Sequence, residues 1–372
     1  MNQKPADLHL NLPRQRLPFF EYLAMVTRQP AVQLILAGFL LCIGTRNAHA
    51  QEGPLRAFQN IFDPLSAPAE ELKTISWLVL AICLGIFVIV GSLLLYAVVR
   101  YRRRGPEDDQ QEPPQVYGSA AIELAWVVPP VLIVLVLVLV TARTVGLLNQ
   151  PALPKETERL TVIGHRFWWE VKYPGEGAIT ANEIHVPLSD RKKSVPTDMT
   201  LLSADVIHGF WVPQLNGKLQ AVPNYKNDLW IEPFAPGIYL GNCTVLCGPQ
   251  HANMLIRVVV DTPEAFKQWL EHQKENAVTD PSVATGQADF INNSCGTCHA
   301  IRGTQANGVF GPDLTHFASR ATLGSGVAAN DDANLRSWVK NPQTLKRGCR
   351  MPDMKLNDSQ INQIVAYLKT LK

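Results

Sequence analysis

The stretch "NCTVLCGPQHANM", residues 242–254, carries four side chains that can bind a soft metal. They are Cys243, Cys247, His251 and Met254, each three or four residues from the next. A zinc site is disfavoured, because methionine is a poor zinc ligand and two cysteines with one histidine lack a fourth partner. A disulfide between the cysteines would leave the histidine and the methionine unexplained. The pattern therefore indicates a metal site of another kind.

A copper site fits these side chains better. A mononuclear blue-copper site uses one cysteine, histidines and a weak methionine on a β-sandwich, so this stretch has one cysteine too many. Two thiolates can instead bridge two copper ions, with one histidine bound to each ion. His251 is one such histidine. The favoured second histidine is His208, in "SADVIHGFWVP", and the rivals are His165 and His185.

The sequence around this stretch predicts the fold that holds it. Residues 155–275 contain short β-like runs separated by Gly, Pro and Asn, which is typical of a β-sandwich or barrel. Residues 263–276 are predicted to be helical. From about residue 281 the pattern turns α-helical and ends in "NDSQINQIVAYLKTL", where the spacing of Asn357 and Gln360 predicts a capping box.

A second cofactor motif, "CGTCH", occupies residues 295–299. This is the attachment pattern of c-type haem, in which Cys295 and Cys298 bond to the haem and His299 ligates the iron. A redox dithiol or half of a zinc site is disfavoured, because no second cysteine pair follows and the histidine is immediately adjacent. The segment "CRMPDM" offers Met351 and Met354 as the sixth iron ligand.

The first half of the chain predicts insertion into a membrane. Apolar runs at about 75–99 and 120–145 are each long enough to cross a bilayer. The arginine-rich loop between them places that loop in the cytoplasm and everything beyond residue 145 outside. An earlier apolar run, 31–44, is followed by "NAHA", which is typical of a signal peptide, although a third span is the alternative. Cys42 falls in that run, and Cys83 is a small apolar residue of the first span.

The composition limits the classes of protein to which the chain can belong. The chain has 372 residues, 47% of them hydrophobic, and a net charge of +2, which excludes a nucleic-acid binder with a strong basic patch. We predict four consecutive parts: a signal peptide (1–50), a transmembrane hairpin (51–150), a copper domain (151–276) and a cytochrome c domain (277–372).

The motifs in this order resemble subunit II of the haem–copper cytochrome c oxidases that carry a fused C-terminal cytochrome c domain, the caa type. The resemblance rests on "ELAWVVPP", "VIHGFWVPQLNGK", the Cys-x3-Cys-Gly-x2-His-x2-Met loop and "CGTCH". It implies a multidomain membrane protein with a two-helix transmembrane hairpin, a cupredoxin-like β-sandwich and an all-α class I cytochrome c domain.

The resemblance also implies the role of each site residue. Cys243 and Cys247 would bridge the two coppers of a binuclear CuA site, with His208 and His251 as terminal ligands. Met254 and the backbone carbonyl of Val245 would be weak ligands. In the haem domain, Met351, followed by Pro352, is the better iron ligand, with Met354 as the alternative, and Pro312 of "GPDL" would lie near the proximal His299. Cys349 has no assigned role.

Two positions depart from the family pattern. Val245 stands where the family has a glutamate that binds magnesium at the boundary with subunit I, so that magnesium ligand is absent. Phe167, in "FWWEV", stands where an electron-entry tryptophan is often found, and Trp168 and Trp169 follow it. These three aromatic residues are candidates for electron entry or for simple core packing. Glu123, at the start of the second span, is either an interfacial carboxylate or the entry of a proton-uptake pathway.

The expected function is electron entry into a proton-pumping cytochrome c oxidase. Electrons would pass from haem c to CuA and on to subunit I, where O2 is reduced to water. The expected partners are subunits I and III, membrane lipid and an external donor, either cytochrome c or a quinol-oxidising complex. The expected location is a bacterial inner membrane, with both cofactor domains on the periplasmic or outer face. The alternatives are the electron-entry subunit of a CuA-type nitric oxide reductase and a membrane-tethered redox carrier.

Overall fold

The computed structural model describes residues 59–103, 105, 115, 117–149, 153–278 and 280–372. The predicted signal peptide, residues 1–50 including Cys42, lies outside the described residues. Three parts follow one another along the described chain: a pair of long helices, a β-sandwich and a small helical domain.

The two long helices are α1 (Ala67–Arg100) and α2 (Ala120–Asn149). Both are apolar on every face and expose those faces, as expected for helices surrounded by lipid. At about 1.5 Å per residue, each is longer than the hydrocarbon core of about 30 Å. The two predicted spans are therefore present, and α1 begins eight residues before the predicted span, because its first two turns lie beyond the apolar run.

The start of α1 and the end of α2 are hydrogen-bonded to the β-sandwich. Trp230 Nε1–H donates to the carbonyl of Leu148 at 2.7 Å, near the end of α2. The backbone N–H of Glu232 donates to Ser66 Oγ at 2.9 Å, next to the start of α1. The start of α1 and the end of α2 therefore lie on the same side as the sandwich.

The sandwich consists of two five-stranded sheets. The first has the strand order β3-β2-β1-β5-β8 and the second has the order β4-β10-β9-β6-β7. The strands are β1 (Glu158–His165), β2 (Trp168–Tyr173), β3 (Ala178–Ala181), β4 (Glu183–Pro187), β5 (Thr197–Ser203), β6 (His208–Trp211), β7 (Leu219–Ala221), β8 (Asn227–Ile231), β9 (Gly237–Cys243) and β10 (Leu255–Asp261).

Alternating apolar residues build the core between these sheets. In β2, Trp169, Val171 and Tyr173 are fully buried while their neighbours are half-buried, because successive side chains of a strand point to opposite faces. Helix α3 (Pro263–Lys274) covers one end of the core, where Phe266 packs against Tyr173. The predicted β-sandwich and its closing helix are both present.

The C-terminal domain has three α-helices linked by short 3-10 turns. They are α4 (Ala284–Asn292), α5 (Asp332–Lys340) and α6 (Asp358–Leu368). The predicted capping box is present: Asn357 accepts from the N–H of Gln360, whose side chain accepts from the N–H of Asn357. A short hairpin, β11 (Thr322–Leu323) with β12 (Ala328–Ala329), is added to the predicted all-α architecture. The turn of this hairpin contacts the sandwich: the N–H of Leu255 donates to the Ser325 carbonyl, and the Ser325 hydroxyl donates to the Leu255 carbonyl at 3.0 Å.

Helices α4 and α6 cross with their backbones nearly in contact. A Cβ atom added to Gly286 of α4 would collide with the backbone carbonyl of Gln363 in α6. We therefore expect Gly286→Val to destabilise the helical domain by about 1–3 kcal/mol. Thermal unfolding of the full chain should show a domain transition lowered by about 4–8 °C per kcal/mol. Thr285→Ala, at an exposed position of the same helix, is the control, and equal melting of both variants would contradict this packing argument.

Candidate metal centre and haem-binding site

The two cysteines of the opening stretch lie close together in a buried position. Cys243 ends β9 and Cys247 lies in the following loop, and each thiol-bearing residue is 5% exposed. Their sulfur atoms are 3.9 Å apart, well beyond the disulfide bond length of about 2.05 Å. Metal–thiolate bonds are about 2.3 Å long, as in zinc sites, so two sulfurs on one ion can stand up to about 4.6 Å apart. The spacing fits two thiolates that share metal ions.

The other predicted ligands surround this sulfur pair. His208 Nδ1 lies 4.0 Å from Cys243 Sγ, and His251 Nδ1 lies 3.8 Å from Cys247 Sγ. Met254 Sδ is 3.9 Å from Cys247 Sγ, and the Val245 carbonyl oxygen is 3.4 Å from Cys243 Sγ. The structure thus brings all six predicted ligands together, with one histidine beside each sulfur. Soft sulfur donors with imidazole nitrogens form a set suited to copper.

A carboxylate fixes the orientation of His208. Its Nε2 lies 2.9 Å from Asp205 Oδ1, which leaves Nδ1 directed at the sulfur pair. A Cβ atom added to Gly164 would lie 2.7 Å from the His208 ring, so the neighbouring strand packs closely against the imidazole. Burial lowers the pKa of His208, although Asp205 opposes that effect, and the ring is neutral at pH 7 as metal binding requires.

The two rival histidines lie away from this cluster. His165 stacks on Trp168 and contacts the Glu170 carboxylate at 3.1 Å. His185 contacts the Asp261 carboxylate at 2.7 Å and stacks on Trp269. Both histidines are therefore occupied with structural contacts on the sandwich.

The predicted haem ligand His299 also has a fixed orientation. It follows the 3-10 turn Cys295–Thr297, and its Nδ1–H donates to the carbonyl of Pro312 at 2.8 Å. Nε2 is therefore the nitrogen left to bind a metal. A Cβ atom added to Gly311 would lie 2.6 Å from the His299 ring, so only glycine allows this close approach. Burial lowers the pKa of His299, which keeps the imidazole neutral.

Two adjoining cavities flank His299. They share His299, Leu314, Phe317, Trp338 and Met351 as lining residues. Met351 lines both cavities, whereas Met354 lines the smaller one. This apolar slot between a histidine and a methionine fits a flat, mostly apolar macrocycle, and it favours Met351 as the sixth ligand.

A buried arginine makes the larger cavity suitable for an anionic group. Arg320 is 8% exposed and donates from Nη2 to the Asp313 carbonyl at 2.6 Å. Within the described residues its buried Nε has no hydrogen-bond partner. A buried guanidinium with an unused donor requires an acceptor, and the carboxylates of haem can supply one. The residues present therefore fit haem.

The three aromatic residues predicted as candidates for electron entry occupy two different environments. Phe167 and Trp168 line the larger haem-side cavity. Trp169 is fully buried between the sheets, with its ring edge-on to His208 and Phe210. Phe167 and Trp168 therefore face the haem-binding domain, and Trp169 packs behind the predicted copper ligand His208.

Comparison with known proteins decides the family. Three family models match the chain in order: the cytochrome c oxidase subunit II transmembrane domain over residues 54–143, its periplasmic domain over 193–262, and cytochrome c over 283–372. The cytochrome c oxidase subunit 2 of Alkalihalophilus pseudofirmus is 30% identical over 338 residues, which cover 89% of this chain and 93% of that protein. The chain belongs to the cytochrome c oxidase subunit 2 family. The predictions of the family, the fold class and an electron-entry subunit of an oxidase are confirmed.

A second relative agrees with this membership. The cytochrome c oxidase subunit 2 of Bacillus sp. PS3 is 32% identical over 73% of this chain and 80% of that protein. A solved periplasmic domain of cytochrome oxidase subunit II from Bradyrhizobium japonicum is 27% identical over 33% of this chain and 96% of that one, with a TM-score of 0.30. The family models imply haem and copper as the cofactors of this subunit 2 chain.

Sequence reasoning missed three supporting residues. Asp205 precedes His208 by three positions, and that spacing is the one signal that could have suggested a partner. Arg320 and Lys346 resemble ordinary surface cations in the sequence, yet both are buried. Cys349 lines the larger cavity, where Gln343 Nε2 lies 3.2 Å from its sulfur.

If the two thiolates bridge two copper ions, substitutions in the cluster should change copper binding in a defined way. We expect the purified full chain to bind two copper ions and to share its unpaired electron over both. Cys247→Ser should abolish that spectrum, because one bridge is lost. Met254→Leu should keep two coppers and shift the potential, because a weak ligand is lost while both bridges remain. Metal analysis with electron paramagnetic resonance checks both variants, and a wild-type chain with one copper would refute bridging.

The metal-free thiols predict a dependence of copper binding on pH. Burial and the neighbouring Cys243 raise the pKa of Cys247 to about 12, so this thiol keeps its proton at neutral pH. Metal binding needs the thiolate, so Cu(I) must displace that proton. Affinity should rise about tenfold per pH unit for each proton released. Anaerobic calorimetry in buffers of different ionisation enthalpy measures the release, and affinity that is constant between about pH 6 and 8 would contradict the prediction.

Proposed function

We propose that this chain admits electrons to a bacterial, proton-pumping cytochrome c oxidase through two sites of its own. The helical domain holds covalent haem c through Cys295, Cys298, His299 and Met351. The sandwich holds binuclear CuA through Cys243, Cys247, His208 and His251, with Met254 and the Val245 carbonyl as weak ligands. Both groups supply one-electron chemistry, and the electron enters at the helical domain and leaves from the sandwich.

This proposal rests on one side chain, Phe167, which lies between the proposed haem pocket and the loop of the proposed copper site. The cavity beside His299 and Met351 is also lined by Phe167 of the sandwich. The Phe167 ring lies close to Gly248, where an added Cβ atom would be 3.0 Å from it, and Gly248 follows the copper ligand Cys247. One aromatic side chain therefore separates the haem pocket from the copper loop, which supports electron transfer from haem c to CuA.

Oxygen reduction belongs to a partner subunit in this proposal. The membrane helices α1 and α2 contain no histidine, so they cannot hold a haem or a third copper through imidazole. Electrons therefore continue from CuA to subunit I, with subunit III completing the complex. The external donor, a cytochrome c or a quinol-oxidising complex, reduces the helical domain first.

The membrane orientation is also part of the proposal. Arg100, Arg102 and Arg103 follow the apolar part of α1, which favours the cytoplasm for that end. The opposite end of the helix pair touches the sandwich, so both cofactor domains lie on the periplasmic or outer face of the inner membrane. Glu123 lies in the first turn of α2, at the cytoplasmic end, where it can open a proton-uptake path shared with subunit I.

The iron ligand provides the test of this electron path. Met351→Ala removes the thioether that raises the haem potential, so transfer to copper becomes uphill. We expect turnover with a donor of the helical domain to fall by at least about tenfold, equivalent to about 1.4 kcal/mol of added barrier. The copper spectrum should stay normal. Measurements are oxygen consumption and visible spectra of the detergent-purified complex.

Met354→Ala is the matched control and should change turnover much less, because Met354 lines the smaller cavity. Wild-type oxygen consumption by the Met351 variant would place haem c outside the main path. A purified wild-type complex that shows no haem c or no near-infrared copper band would remove the proposed function altogether.

A further inference from the structure

Lys346 of the helical domain is buried at its boundary with the sandwich. The residue is 3% exposed, and a lysine is almost never fully buried unless its charge is paired. Its Nζ lies 2.8 Å from the Phe167 carbonyl, 2.7 Å from the Asn253 carbonyl and 2.6 Å from the Gly324 carbonyl. An ammonium group has three N–H donors, so three carbonyls satisfy it fully. Two of those carbonyls belong to the sandwich.

Keeping a cation in this position is unfavourable in itself. Burial lowers the pKa of Lys346 to about 7, against the weaker opposing effects of Cys349 and Cys247. A lysine on the surface would carry no such penalty. Because burial of this lysine is costly, we look for a role that depends on its buried position.

The three carbonyls connect the walls of the two redox sites. Asn253 precedes the copper ligand Met254, and Phe167 forms the wall between the haem pocket and the copper loop. On the haem side, Lys346 itself lines the cavity that Met351 lines. Movement of this side chain would therefore loosen the walls of both sites at once.

A second group of contacts holds the same boundary. The Glu183 carboxylate accepts from the backbone N–H groups of Ala321 and Thr322, at 3.1 and 3.0 Å, and from the Thr322 hydroxyl at 2.9 Å. The backbone N–H of Leu255 donates to the Ser325 carbonyl at 3.2 Å. The amides of Thr322 and Leu255 should therefore be protected from hydrogen exchange while the helical domain is docked on the sandwich.

We propose that Lys346 is a positioning residue for electron transfer, holding the haem pocket against Phe167 at one fixed separation from the copper loop. This inference rests on the proposed function, because it assumes haem c in one domain and copper in the other. One electron passes from reduced haem to oxidised copper, and no bond forms or breaks. Electronic coupling falls steeply with separation, so a loosened boundary slows transfer while leaving both cofactors bound.

The test compares three variants in the purified oxidase complex. Lys346→Met keeps the length of the side chain and removes its donors, and Lys346→Gln retains two donors. Lys340→Met, at an exposed position of α5, is the control. Electron transfer from haem to copper is followed after a pulse of one-electron reductant, together with both potentials. We expect at least about a tenfold slower rate in Lys346→Met, an intermediate rate in Lys346→Gln and no change in the control.

Amide hydrogen exchange gives a readout that does not depend on electron transfer. In the copper-free full chain, the Thr322 and Leu255 amides should lose protection in Lys346→Met and keep it in Lys340→Met.

Because the boundary is buried, the wild-type transfer rate should be nearly constant up to about 1 M salt, where exposed charges are screened beyond about 3 Å.

The outcomes separate this inference from the proposed function. A wild-type complex without haem c or copper spectra overturns the proposed function. The positioning role is overturned if both cofactor spectra are present and the Lys346→Met variant keeps the wild-type rate of electron transfer and the wild-type amide protection. Slow transfer with full protection and shifted potentials also overturns it, because the lysine would then act through its charge alone. If Lys346→Met fails to fold, the same readouts on Lys346→Gln decide.

Discussion

The register of three neighbouring strands holds the six predicted copper ligands together. Phe210 of β6 pairs with Cys243 of β9, which places His208 two residues away beside the first sulfur. Leu255 of β10 pairs with Asn242 of β9, so the loop that carries Cys247, His251 and Met254 closes between paired strands. The N–H of Cys243 donates to the Met254 carbonyl and fixes both ends of that loop. A slip of one residue would turn these side chains to the other face of the sheet, so the sandwich core that fixes the register also fixes the site.

Much of this arrangement was predictable from local sequence. The spacing of Cys243, Cys247, His251 and Met254 lies within one loop, and "CGTCH" lies within one turn, so short-range patterns carry the ligands. The capping box at Asn357 and the closing helix at 263–276 are local for the same reason. The sequence favoured His208 over His165 and His185 but could not show its distance from the cysteines, because the pairing of β6 with β9 is what brings His208 beside Cys243. Lys346 and Arg320 were missed because their burial comes from contacts between distant segments, and a lysine or arginine in a polar stretch carries no local mark of that environment.

The boundary between the haem-binding domain and the sandwich changes how the fusion acts. A linker of about ten residues, 276–285, joins the two domains, and such a connection raises their effective concentration through proximity alone. The structure adds specific hydrogen bonds across the boundary: Lys346 and the N–H of Leu255 donate, and the Glu183 carboxylate accepts. Arg302 also donates to the carbonyls of Gln273 and Lys274 at the end of α3, beside the start of the linker. The linker therefore keeps the domains together, and the docked contacts set their separation.

The two proposed redox sites fix their histidines with partners of different charge. His208 turns Nε2 to the Asp205 carboxylate and leaves Nδ1 for the proposed copper site, whereas His299 donates Nδ1–H to the Pro312 carbonyl and leaves Nε2 for the proposed haem iron. Each partner removes one tautomer and one rotation of the ring, so little rearrangement is needed when an electron arrives or departs. A carboxylate also makes its histidine a stronger donor than a neutral carbonyl does. Hydrogen bonds from His208, Val206 and Arg166 lower the pKa of Asp205 despite its burial, so the carboxylate stays charged. A charged partner at His208 and a neutral one at His299 would therefore adjust the two proposed metal centres separately, without any change in the predicted ligands themselves.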